Sequence, residues 1–214
     1  MTKDIIVLTS SYKHEGRCIA GIDINSGEWI RPISSNRTIE GAVPLDDLKY
    51  EDGTMVKIFD VVRITMRHAI PTAVQPENWL YDDDFYWKKL NSSNLNEVVS
   101  LRGYDDSQYV FDNTEKRLNQ STASKCGKSL LLLNVINPRI FVKSFETKKI
   151  SLFFTYKGIE YAFYAVTEPD VLDEYKRKAD GFYPLGFKQT VVFSLTEQHT
   201  DGMYYKVAAQ FLHS

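Results

Sequence analysis

The sequence predicts a mainly β protein with a minor helical component, built as two small Greek-key β-barrels joined by a helical insert. Three observations carry this expectation. Short β-branched and aromatic runs, bounded by Gly, Asn, Ser and Pro, gather in residues 1–70 and again in 129–214, and runs so bounded read as strands. Residues 71–128 between them contain Pro71, Pro76 and the Asp82-Asp83-Asp84 run, are rich in Ser and Asn, and hold few such runs. The chain has 214 residues, 43% of them hydrophobic, which is enough material for one large or two small cores.

In chain order, Ile5-Ile6-Val7-Leu8 is a buried strand closed by Thr9-Ser10-Ser11. Residues 17–23 and 28–33 form a hairpin, because Asn25-Ser26-Gly27 supplies the positive φ that a tight loop needs. Pro32 cannot donate to a ladder and marks a strand end or a sheet edge. Residues 55–64 partly alternate and complete the first β unit. In the middle, Ser or Asp can cap helices over 84–90 and 93–101, so 71–128 reads as a helical insert and connector.

The second half has strands at 129–135 and 139–145 on either side of Asn137-Pro138, then 150–156 and 159–167 flanking the turn Lys157-Gly158. Glu168-Pro169-Asp170 starts a helix through Lys178, since Pro suits a first turn and Asp170 the positive end of the helix dipole. Strands at 189–196 and 203–212 close the chain. Strand, hairpin, helix and two further strands is the order of a small Greek-key barrel, the OB type among them.

Charge is segregated beneath a net of −2. Residues 41–115 carry seven basic and fourteen acidic groups, and residues 116–160 carry nine basic and two acidic. A basic segment of net +7 can form a local phosphate-attracting face even at a mean pI near 6, or it can neutralise the acidic segment across the fold. No run approaches the ~20 apolar residues of a membrane helix. Asp4 before a short apolar run is unlike a signal peptide, so a cytoplasmic protein is expected. Cys18 and Cys126 lie far apart without a Cys-x-x-Cys motif, which argues against a disulfide scaffold or a structural zinc site.

The segment Gly16-Arg17-Cys18-Ile19-Ala20-Gly21, followed by Gly27-Glu28-Trp29-Ile30-Arg31-Pro32-Ile33-Ser34, resembles the opening of the bacterial and archaeal dual OB domain family. The strand over 5–11 and the ending Phe193-Ser194-Leu195 with Tyr204-Tyr205-Lys206-Val207-Ala208-Ala209 are similar to that family as well. The resemblance implies two consecutive OB-like barrels and a role in nucleic-acid transactions. It carries no catalytic residue across.

Two constellations are candidate nucleic-acid contacts. Arg17, Trp29 and Arg31 lie on the two strands of the first hairpin, with Lys13 and His14 in the loop before it. Trp29 and Arg31 are two apart and share a strand face, so the ring could stack on a base while Arg31 meets a phosphate. The structural alternative puts Trp29 in the barrel core and pairs Arg31 with Asp23 or Glu28. The second constellation is Lys143, Lys148, Lys149 and Lys157 with a dense aromatic hairpin. Alternation there sends Ile159, Tyr161 and Phe163 to one face and Tyr164 to the other, leaving Phe153 and Tyr164 available outside as a stacking platform, unless a second layer covers them.

Enzymatic signals are weak. Cys18 sits in an apolar strand, the four histidines are isolated, and Asp82-Asp83-Asp84 reads as a solvated turn. The segment 181–186 lacks the Lys-Ser of a phosphate loop, and Tyr205-Lys206 could serve acid–base work only if Lys206 were desolvated. The expectation is a non-catalytic protein, without metal or cofactor, that binds single-stranded or distorted nucleic acid. The alternatives are an adaptor for a protein partner and, less favoured, a metal-dependent nuclease or nucleotide-modifying enzyme.

Overall fold

The structure, a computed structural model, describes residues 1–213, the Arg37 side chain excepted. The chain divides into two compact units, residues 1–72 with 76–103, and residues 73–75 with 104–213. Among the described residues no helix is long and apolar enough to cross a membrane.

The first unit contains β1 (Thr2–Lys13), β2 (Gly16–Asp23), β3 (Trp29–Ile33), β4 (Val43–Pro44), β5 (Asp60–Ala69), β6 (Asn78–Tyr81), β7 (Lys88–Ser92) and the helix α1 (Leu95–Arg102). β1 pairs antiparallel with β2 and β5, β2 with β3, and β5 with β6, while β3 and β6 run parallel. The circuit β1-β2-β3-β6-β5 therefore returns to β1, which leaves no open edge within it. Its core is Ile5, Val7, Ile19, Ile30, Val62, Ile64, Met66, Tyr81 and Trp87. Gly21 is required where β1 bulges after Val7: a Cβ there would stand 2.2 Å from the Ile6 carbonyl oxygen. The β2–β3 turn follows its sequence signature, with Gly27 at φ +70° and the Asp23 carboxylate accepting the N–H groups of Asn25 and Ser26.

The middle of the chain differs from its expectation. No helix forms over 84–90; Lys88–Ser92 instead pairs antiparallel with the start of β5. All five of its residues are exposed, so backbone pairing alone makes it a strand, and side-chain periodicity could not reveal it. The expected strand at 55–64 begins only at Asp60, after Phe59 at φ +68°. The helix expected at 93–101 is α1, capped by the Asn94 side chain accepting the Glu97 N–H. Residues 71–128 do not stand apart as an insert: β6 closes the first circuit. Residues 104–128, with β8 (Arg117–Leu118) and α2 (Gln120–Lys125), belong to the second unit.

That second unit continues with β9 (Leu130–Lys143), β10 (Lys149–Tyr156), β11 (Ile159–Val166), α3 (Pro169–Tyr175), β12 (Gly181–Pro184), β13 (Lys188–Gln198) and β14 (Tyr204–Leu212). β9-β10-β11-β14-β13 closes back onto β9, with β11 and β14 as the parallel pair. This is the order of the first circuit repeated, strand for strand, and it is the Greek-key order of an OB barrel. The two strands expected around Asn137-Pro138 are one. β9 passes through Asn137 at φ +49°, pairing with β13 before the bend and with β10 and β12 after it. A barrel strand that turns a corner tolerates a proline at the corner, where no ladder donor is needed. Leu131, Leu133, Val135, Ile140, Leu152 and Val191 fill the barrel with the rings of Phe154, Tyr161, Tyr164 and Phe193. Phe154 stacks on Tyr161 with centroids 5.1 Å apart and lies 4.9 Å from Phe193. A side chain buried to this degree contributes ~1.5–3 kcal/mol.

Candidate nucleic-acid interface

Alternation along β9 and β10 decides what the second barrel shows on its outside. On β10, Ile150, Leu152, Phe154 and Tyr156 are buried while Lys149, Ser151, Phe153 and Thr155 face outward. On β9 after the bend, Ile140 and Val142 are buried and Arg139, Phe141 and Lys143 face outward. β12 places Phe182 opposite Phe141 and Pro184 opposite Arg139. Four phenylalanines thereby form a strip across four adjacent strands. Phe182 lies 4.5 Å from Phe141, Phe141 lies 5.5 Å from Phe153, and Phe153 lies 4.7 Å from Phe163, all between ring centroids.

Phe163 reaches the strip through a bulge. The β10–β11 register shifts between Leu152 and Phe154, and Phe163 takes φ +60°, a region that costs a bulky residue roughly 1–2 kcal/mol. Its ring is 55% exposed, so core packing does not reward the strain. Cations rim the strip. The Arg139 guanidinium lies 5.3 Å from the Phe182 ring centroid, Lys149 is exposed, and Lys143, its ladder partner, pairs with Asp180 at 3.2 Å. At one end is a cleft of about 530 Å³ lined by Asn137, Arg139, Phe153, Thr155, Glu160, Pro184 and Gly186, among others.

The expected site residues fall into three groups. Phe153, Lys143 and Lys149 lie on this outer face. Lys148 and Lys157 are engaged elsewhere: the Lys148 ammonium donates to the Lys176 and Lys178 carbonyls at the end of α3, and Lys157 pairs with Asp106. Tyr164 is a correction, because it is buried in the barrel, where burial pushes its hydroxyl's pKa far up. The bulge at Phe163 inverts the alternation, so Tyr161 and Tyr164 both point inward and Phe163 points outward. Sequence reasoning missed Arg139, Phe141, Phe163 and Phe182. The first two are legible in the alternation of Arg139-Ile140-Phe141-Val142-Lys143, whereas Phe182 becomes part of the strip only through the pairing of β12 with β9.

The first constellation is divided by the fold. Trp29 is buried, with the guanidinium of Arg102, the last residue of α1, 5.0 Å from its ring centroid. Arg31 is also buried, and its ladder partner is Asn78 on β6. Neither is open to a ligand, because α1 and β6, both from the stretch expected as an insert, cover the hairpin. Arg17 lies over the exposed ring of Tyr12 at 4.4 Å, across the β1–β2 ladder. Lys13 donates to the Glu40 carbonyl and His14 meets the Glu40 carboxylate at 2.9 Å, so this corner is held by local pairs.

Other groups named from the sequence have structural partners. Arg67 bridges Asp82 at 2.9 Å and Asp83 at 2.7 Å, with Asp84 at 3.6 Å, which compensates the acidic turn internally. Lys206 is desolvated: burial brings its pKa down to about 7, and its ammonium donates to the Asn113 carbonyl and Oδ1, both at 2.8 Å. It thereby pins the strained turn at Phe111 and Asp112, where φ is +51° and +69°. Cys126 is partly covered, and burial raises its thiol's pKa.

Two circuits of identical strand order, each closed by one parallel pair, define a tandem OB-fold protein. The chain belongs to the family of dual OB-containing domains, whose sequence pattern matches residues 3–211, nearly its whole length. No curated protein and no solved structure matched it.

Proposed function

We propose that this protein binds single-stranded nucleic acid on the outer face of its second barrel, with Phe182, Phe141, Phe153 and Phe163 as the stacking strip and Arg139, Lys143 and Lys149 as its phosphate contacts. The observation that carries the reading is Phe163: a bulky residue held at positive φ presents a ring to solvent in line with three others. Strain kept without a packing reward is characteristic of a working surface. Successive bases stack on aromatic rings at ~1–3 kcal/mol each, and OB barrels use this strand face for single strands. Exposed aromatic rings also serve as anchors in protein interfaces. The cationic rim favours nucleic acid.

The test is fluorescence polarisation with labelled single- and double-stranded oligonucleotides at two salt concentrations. Phosphate binding must weaken as salt rises. Single strands should bind more tightly than duplex, and Phe153→Ala should weaken binding by ~1–3 kcal/mol. Salt-insensitive binding, or a Phe153→Ala variant of unchanged affinity, overturns the assignment.

A further inference from the structure

We infer that the cleft at the end of the aromatic strip is a guanine-selective base pocket, with Arg139 and Glu160 reading two neighbouring edges of a base stacked on Phe153. The inference rests on the single-strand reading above and adds what that reading leaves open, namely which base is held.

Ladder registers place the groups. Arg139 on β9 is opposite Phe153 on β10, and Glu160 on β11 is opposite Thr155, two residues further along β10. The two charged residues therefore flank the same central strand from its two neighbours. Adjacent strands lie ~4.8 Å apart, so the two backbones stand roughly 10 Å from one another. Phe153 and Thr155 form the floor between them, and all four residues line the one cleft. The Arg139 guanidinium is drawn toward the Phe182 ring on the β12 side, away from Glu160. The cleft thus presents a donor fork on one wall, a carboxylate on the other and an aromatic floor. Its volume lies in the ~300–1,000 Å³ range of small-molecule sites.

The chemistry of the walls selects among the bases. A guanidinium fork seeks two adjacent acceptors, and O6 and N7 of guanine supply them. A carboxylate offers two acceptor oxygens and seeks two adjacent N–H donors. Guanine's N1–H and 2-amino group are such a pair. Adenine and cytosine present one amino donor beside a ring acceptor, and thymine one imino N–H between two carbonyls. Only guanine satisfies both walls in bidentate fashion. Glu160 gains meaning from this, because a carboxylate on a face that attracts phosphate opposes backbone binding and needs a donor edge to compensate it.

The experiment compares thymidine oligomers of about ten nucleotides, within the footprint of an OB barrel, carrying one central guanine, inosine, adenine or cytosine. Inosine keeps O6, N7 and N1–H and lacks only the 2-amino group. Wild-type protein should bind the guanine oligomer about tenfold more tightly than the inosine one. Glu160→Gln, an isosteric change at an exposed position, should abolish that difference. Equal affinity for guanine and inosine in the wild type, or a difference that survives Glu160→Gln, overturns the pocket. If the all-thymidine oligomer binds and Phe153→Ala weakens it while guanine and inosine tie, the pocket falls and the single-strand reading stands. If no oligomer binds in a salt-sensitive way, both fall.

Discussion

Replacing Lys206 with Met should change how stability depends on pH. The side chain is 1% exposed, and burial lowers its pKa from 10.5 to about 7, with Cys126, Glu115 and Asp112 pulling weakly the other way. Above about pH 7 the folded protein holds this amine neutral, while the unfolded chain keeps it protonated to pH 10.5. The unfolded state then binds one more proton, so stability rises with pH, and the contribution is lost as pH falls through 7. One pKa unit corresponds to ~1.4 kcal/mol; with the amine half-protonated at pH 7, the gain between pH 7 and 8.5 is about 1.5 kcal/mol. The window should stop at 8.5, because the Cys126 thiol and the Tyr50 and Tyr164 hydroxyls have raised pKa values and contribute with the opposite sign at higher pH. The assay is urea unfolding at half-unit pH steps on wild type and Lys206→Met. Met leaves the Asn113 carbonyl without its donor, at ~1–3 kcal/mol, while Asn113 Oδ1 keeps the Glu115 N–H, so the baseline falls as well. The diagnostic quantity is the slope. A Lys206→Met protein that keeps the full rise from pH 7 to 8.5 refutes the reasoning.

Trp29→Ala should cost ~3–5 kcal/mol in urea unfolding through a cavity in the first unit, with oligonucleotide affinity per folded molecule unchanged; lost affinity without lost stability would return Trp29 to the binding face. Glu168 has its pKa pushed up to about 7 by burial, against the Phe211 N–H it accepts at 2.7 Å. The stability this raised pKa brings is present below pH 4.5 and lost as pH rises through 7, so Glu168→Gln should flatten a fall in melting temperature across that window. Phe163→Gly should leave stability unchanged or raise it by up to ~1 kcal/mol by relieving the positive φ, while weakening single-strand binding about tenfold. A large loss of stability with normal binding would make Phe163 a packing residue.

What could be read from the sequence was whatever rests on local chemistry. The hairpin at Asn25-Ser26-Gly27, the turn at Lys157-Gly158, the proline-started helix α3 and the start of α1 each depend on a few adjacent residues, and each forms, although the cap of α1 is Asn94 rather than a Ser or Asp. Two-residue alternation also sufficed to place Phe153 outside, because β10 keeps its register with β9 up to that residue. Tyr164 went astray because one residue at positive φ inverts every later side chain on its strand, and nothing in Ala162-Phe163-Tyr164 announces a bulge.

The remainder belongs to the tertiary structure. β6, four residues in the stretch that holds Pro71, Pro76 and the Asp82-Asp83-Asp84 run, closes the first circuit only by pairing with β3 and β5, partners about 45 and 10 residues away in the chain, and local pattern cannot encode such a pairing. The same stretch supplies Arg102, which covers Trp29 and turns a plausible stacking ring into core. Composition and spacing determined that there would be two β units with rings and cations among them. Which rings reach solvent, and which cations stand beside them, was decided by strand pairing, since exposure is a property of the neighbours that a folded chain brings over a residue.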